Sequence, residues 1–260
     1  MTLVTFRQMV AAELLRLRRK RSIMTMGALF TVVVVVIYFG VLALQHAASP
    51  AIHGPAGGLA NYDHATVLLS VFFGALAAIL VGTEAGTSDL ASGVFRDLVV
   101  TGRSRLWLFV VRVPAALIVT LAFGLTALAI SLAAAYGFAG GQPTPGATYV
   151  LDSILWVCLA QALLCVVAVG LGSLTGSRAT SLTVLIGWDV IAGRLLARIA
   201  SLGSPRDLIP NVALGGLKPG QLLPDSNGIV PGVAAAVVVI VAWIAVALCV
   251  GAWQTRVRDA

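Results

Sequence analysis

From Ile23 to Leu44 the chain runs without one charged residue, directly after the basic cluster Leu15-Arg-Leu-Arg-Arg-Lys-Arg21. About 20 apolar residues carry a helix across a bilayer, so this block is long enough to span one alone. It also exceeds the roughly 7–15 residues of a signal-peptide core, which makes an uncleaved first span the better reading. Similar blocks recur to the end of the 260 residues, and charged residues make up only 10%. With a mean hydropathy of +1.01, the chain reads as an all-α, polytopic integral membrane protein. Its few polar residues inside or beside the spans then carry the functional information.

Six spans are expected, at roughly 23–44, 65–83, 113–137, 150–174, 179–200 and 229–253. The stretch from Arg103 to Gly137 is too long for one straight span. Arg103, Arg105 and Arg112 draw its first part to the interface, and Pro114 suits the first turn of the span proper. With the N-terminus in the cytoplasm, Arg7, Arg16, Arg18, Arg19, Lys20, Arg21, Arg96, Arg103, Arg105, Arg112, Arg178, Arg256 and Arg258 fall on the inner side. That is 13 of 17 basic residues, while 45–64 and 138–149 hold none. The positive-inside rule therefore predicts N-in, C-in topology. The same placement beside apolar blocks speaks against nucleic acid as the partner of the basic residues.

Residues 1–20 read as an interfacial helix. Phe6, Met9, Val10, Leu14 and Leu17 recur at helical spacing, and such a stripe lies in the headgroup plane. A basic tail that merely sets topology is the plainer alternative.

The loop 84–112 is the longest polar stretch on the inner side. Thr87 or Ser88 can cap a short helix there, with Asp89 near its positive end. Leu90, Val94 and Leu98 then form one apolar ridge, bordered by Asp89, Arg96 and Asp97. Gly102 can end the helix. On spacing alone the ridge either rests on the bilayer or enters a groove of a soluble partner.

The stretch D-x-x-S-G-V-F-R-D-L-x-x-x-G-x-S-R, from Asp89 to Arg105, resembles the signature of ABC-2-type permeases, the membrane subunits of a class of ABC transporters. Asp89 takes the acidic place, Gly93 the glycine, Arg96 the arginine, Leu98 an apolar position and Ser104-Arg105 the closing pair. Val94 stands where Thr is common, and Glu84-Ala-Gly86-Thr87 offers a second placement of the acidic and Gly-Thr elements. The six-span plan and basic N-terminus extend the resemblance in outline over the whole chain. It implies that this loop is a coupling helix docked on an ATPase, with Asp89, Leu90, Val94, Arg96, Asp97, Leu98 and Arg105 as coupling residues. The mix of apolar residues with Pro and Gly over 201–228 reads as short half-inserted segments lying at the outer surface, or as a plain surface loop; the resemblance implies a re-entrant helical pair there, before the last span, and a second permease, identical or different. No GxxxxGK[ST] loop occurs in the chain, so no cofactor is expected on it, and ATP and Mg belong to the partner ATPase.

Asp189 lies 11 residues beyond Arg178, about 16 Å deep and near the bilayer centre. A carboxyl there lines a transport pathway or interface, or sits protonated against a neighbouring helix. Arg194 and Arg198 lie roughly 140° and 180° around an α-helix from it, which keeps both from neutralising it. Gly82–Gly86 and Gly172–Gly176 are small-xxx-small pairs that permit close helix contacts. His46, His53 and His64 match no usual metal spacing. Cys158, Cys165 and Cys249 lie in apolar blocks with no paired or metal-type spacing. Asp63, Asp152, Asp207 and Asp225 are scattered along the outer side, which argues against an enzyme.

The expected function is therefore a multi-pass permease subunit in a bacterial cytoplasmic (inner) membrane. It would export an amphipathic, lipid-like or drug-like molecule, driven by a separate ATPase. The alternatives are a stand-alone ion-coupled transporter or channel that uses Asp189, and a membrane anchor subunit that transports nothing.

Overall fold

Each apolar block forms one long helix in the computed structural model, which describes residues 3–91, 104–199, 203–220 and 231–257. Helix α1 (Leu3–Arg19) leads into α2 (Arg21–Ala48), α3 (Gly58–Ala91), α4 (Arg105–Gly137), α5 (Ala147–Thr175) and α6 (Arg178–Arg198). A 3-10 turn at Ser204–Leu208 and the short helix α7 (Pro210–Gly216) follow, and α8 (Val233–Val257) closes the order. No strand occurs among the described residues. Helices α2 to α6 and α8 are all long and apolar enough to cross a membrane. The shortest has 21 residues, about 31 Å at 1.5 Å per residue against a hydrocarbon core of about 30 Å. This is a multi-pass membrane protein of the all-helical class.

Two helix boundaries depart from expectation. Helix α4 starts at Arg105 and carries Pro114 in its interior rather than in its first turn. The helical backbone of α3 continues through Thr87 and Ser88 to Ala91, so neither residue caps a new helix. Backbone hydrogen bonding carries a helix past the end of its apolar stretch, where hydropathy stops marking it. Of the loop expected over 84–112, residues 84–91 are helical and a helix resumes at Arg105. Leu90 belongs to the last turn of α3, whereas Val94, Arg96, Asp97 and Leu98 lie outside the described residues.

Helices α3 and α5 form the centre, with α2, α6 and α8 outermost. Small residues let the two inner helices approach. A Cβ on Gly82 would collide with the Cys165 carbonyl, and one on Gly86 would stand 2.6 Å from the Val169 carbonyl. Between lipid-soluble helices, close backbone approach replaces the hydrophobic effect as the source of packing energy. Gly172 packs on α3 as well, but Gly176 ends α5 with φ 66°, a left-handed cap.

The 201–228 region does not lie flat on the surface where it is described. Ala213 and Leu214 of α7 are buried against Ala160 and Leu163 in the middle of α5 and against Ala236 and Ile240 of α8. The Trp156 indole donates to the Leu214 carbonyl at 2.8 Å, and the Trp243 indole donates to the Leu208 carbonyl at 2.9 Å. The two indoles thereby tie this segment to α5 and α8.

Overpacking a close helix contact costs about 1–3 kcal/mol. Gly86→Val should therefore lower the thermal stability of the purified protein, measured by fluorescence-detected size exclusion after heating. Gly40→Ala, which meets no atom within 4 Å, should leave it unchanged.

Candidate functional site

Two acids near the end of α3 organise one end of the bundle. Asp89 is 1% exposed and pairs with Arg112 of α4 at 2.6 Å and with Arg16 of α1. Glu84, 4% exposed, pairs with Lys20 at the α1–α2 junction and with Arg178 at the start of α6, 3.2 Å away. Arg16 is also held by Glu13 at 2.6 Å. Burial lowers the Arg16 guanidinium below its usual pKa, and Glu13 opposes that shift. Arg16 and Lys20 are one helical turn apart, so a single face of the N-terminal segment reaches both acids. Arg112, expected at the interface, is 1% exposed and also donates to the Gly86 carbonyl at 3.5 Å. Arg105 donates to the Arg256 carbonyl at 3.4 Å and so links the start of α4 to the end of α8.

Of the residues expected to couple to a partner, Asp89 is thus inside the bundle rather than on an exposed ridge. The basic residues that assemble around it were read from the sequence as inner-side charges and not as its partners, and Glu84 only as a second placement of the acidic element. A usable signal was there. Glu84 and Asp89 are the only acids between Asp63 and Asp97, and they face a run of basic residues at 16–21.

The middle of the bundle is irregular in a specific way. Turns of π-helix interrupt α2 at Leu29–Val33, α3 at Leu68–Phe72 and α6 at Gly187–Ala192. Such turns free carbonyls and mark functional positions in many helices. Arg194 donates to the Val71 carbonyl of α3 at 2.6 Å and to the Asp189 carbonyl at 3.3 Å, with its guanidinium 3.8 Å over the Phe72 ring. It therefore bridges two π turns. Asn211 of α7 donates to the same Asp189 carbonyl at 3.3 Å. The α-helical geometry that separated Arg194 from Asp189 does not hold, because the wider turn brings residues five apart onto one side. The Asp189 carboxyl is itself 3% exposed, and its Oδ2 has no hydrogen-bond partner among the described residues.

Gln161 of α5 fills the notch between Gly74 of α3 and Gly124 of α4, and its amide donates to the Leu69 carbonyl at 3.4 Å. A Cβ on Gly74 would collide with that carbonyl, and one on Gly193 would lie 3.0 Å from the Trp188 carbonyl. Each glycine stands five residues beyond the carbonyl it would strike, the spacing that a π turn closes. Gln161 was not recognised in the sequence, since a lone Gln in an apolar block has no distinguishing spacing.

At the opposite end Asp63 is not isolated, as its scattered neighbours in sequence suggested. Its Oδ1 accepts from the Tyr149 hydroxyl at 2.5 Å and from the Lys218 ammonium at 2.6 Å, and the Lys218 side chain is 1% exposed. A cavity of about 490 Å³ opens beside them, lined by Asn61, His64, Gln142 and Tyr149 among others. His46 meets the His53 carbonyl at 2.7 Å, and no cluster of metal ligands forms among the described residues.

Removing one partner of a buried ion pair costs about 3–5 kcal/mol, because the other charge is left uncompensated. Asp89→Asn should therefore destabilise the folded protein by that order, read as lost monodispersity on heating. Asp89→Leu combined with Arg112→Met should recover much of the loss. Glu84→Gln should cost less, near 1 kcal/mol, since its partners are exposed enough to return to water.

No protein-family model matches the chain, and no curated protein is similar enough to count as a match.

Proposed function

We propose that the chain is the transmembrane subunit of an ABC-2-type exporter in a bacterial cytoplasmic membrane. Both termini lie in the cytoplasm, separate ATPase subunits supply Mg-ATP hydrolysis, and a second permease completes the pathway. The cargo is an amphipathic, lipid-like or drug-like molecule. One observation carries the reading. The permease-like sequence after Asp89 is rooted where Asp89 and Glu84 tie α1, α3, α4 and α6 together. A soluble motor acting on that segment needs a stiff point of entry into the spans, and ion pairs shared by four helices supply one. The concentration of basic residues at this end supports its placement in the cytoplasm.

A second reading, an ion-coupled transporter, is favoured by the buried and unpartnered Oδ2 of Asp189.

Affinity co-purification in mild detergent from the native host separates the two. The natural chain and Asp189→Asn should both recover an ATPase, and Val94→Asp and Leu98→Asp should each reduce that recovery at least tenfold, a loss of about 1.4 kcal/mol or more. If no ATPase accompanies the intact chain and Asp189→Asn abolishes ion-dependent transport, the second reading replaces the first.

A further inference from the structure

Helix α1 turns its larger apolar stripe inward. Leu17 is buried, Val10 and Leu14 pack on the same core, and Phe6 meets Trp107 edge to face at 6.0 Å. The stripe expected to lie among headgroups is therefore spent on the protein. A second, smaller face remains. At 100° per residue Val4, Ala11 and Leu15 fall within about 40° of one another, and all three are exposed. Arg7 and Arg18 border this ridge on one side and Arg19 on the other.

The charges of the N-terminal segment divide the same way. Arg16 and Lys20 are taken by Asp89 and Glu84. Arg7, Arg18, Arg19 and the adjoining Arg21 are exposed and make no ion pair among the described residues. Glu13, the one acid of α1, is turned to the inner side and paired with Arg16. The outward face is thus an apolar ridge, 64% exposed at Val4 and 55% at Leu15, edged by positive charge and free of negative charge.

We infer that this face rests on anionic phospholipid. Val4, Ala11 and Leu15 enter the headgroup–acyl boundary, and Arg7, Arg18, Arg19 and Arg21 meet lipid phosphates. Charge complementarity decides the occupant: unpaired guanidiniums beside an exposed apolar ridge match an acidic bilayer surface, which offers phosphate and hydrocarbon side by side. The inference does not depend on an ATPase partner.

The test uses the full chain in lipid nanodiscs, with Cys158 and Cys249 replaced by Ala and a bimane fluorophore on Leu15→Cys. Spin-labelled phosphatidylglycerol or phosphatidylcholine is added at equal mole fraction, and quenching is compared. The anionic lipid should quench at least about twice as strongly. That preference should fall to parity in Arg7→Gln/Arg18→Gln/Arg19→Gln and at about 0.5 M salt, where surface charge is screened. Equal quenching by the two lipids with the arginines intact overturns the inference. So does quenching by aqueous iodide alone, which would mean a face left to water or to a soluble partner. The fluorophore on Val4→Cys repeats the reading if Leu15→Cys does not fold.

Discussion

Burying Asp89 governs how its end of the molecule is built. A carboxylate withdrawn from water costs several kcal/mol unless partners replace its hydration. Its partners come from two different helices, Arg112 of α4 and Arg16 of α1. Arg112 is as buried as the acid it meets, so neither charge is tolerable without the other. Helix α1 is therefore part of the bundle rather than an appendage, and α6 is drawn in through Arg178 and Glu84. The segment after Ala91 follows a helix end held by these ion pairs, and this makes it suitable for transmitting force in the proposed reading.

The mid-span follows the same logic with backbone carbonyls as the acceptors. In hydrocarbon every freed carbonyl needs a donor, and the π turns free several. Arg194, Gln161 and Asn211 donate to the carbonyls of Val71, Leu69 and Asp189. These three polar side chains are thus partners of an irregular backbone. Arg194 joins α3 to α6 at a place where both helices depart from α geometry. The Asp189 carboxyl is the exception, since one of its oxygens has no hydrogen-bond partner among the described residues.

Much of the fold was legible along the chain. Hydropathy placed all six spans, because a helix in lipid must be apolar over its whole crossing length whatever it packs against. Their ends were less legible, since α3 extends to Ala91 and α4 begins at Arg105, where polar residues continue helices that apolarity no longer marks. The candidate site was legible only in part. Asp89 and Asp189 stood out as acids beside or within spans. Their partners did not: Arg16, Lys20, Arg112 and Arg178 are close to the acids in space and up to 94 residues from them in sequence.

The amino-acid sequence by itself determined that the chain is a membrane protein with six apolar helices of spanning length and with most of its basic residues near their ends. That follows from a local rule, the cost of placing each residue in hydrocarbon. Tertiary structure alone decided which charges neutralise which, which face of α1 is spent on the bundle, and which carbonyls Arg194 and Gln161 satisfy. Those choices depend on distances between helices and on the wider pitch of π turns, and no periodicity along a single helix encodes either.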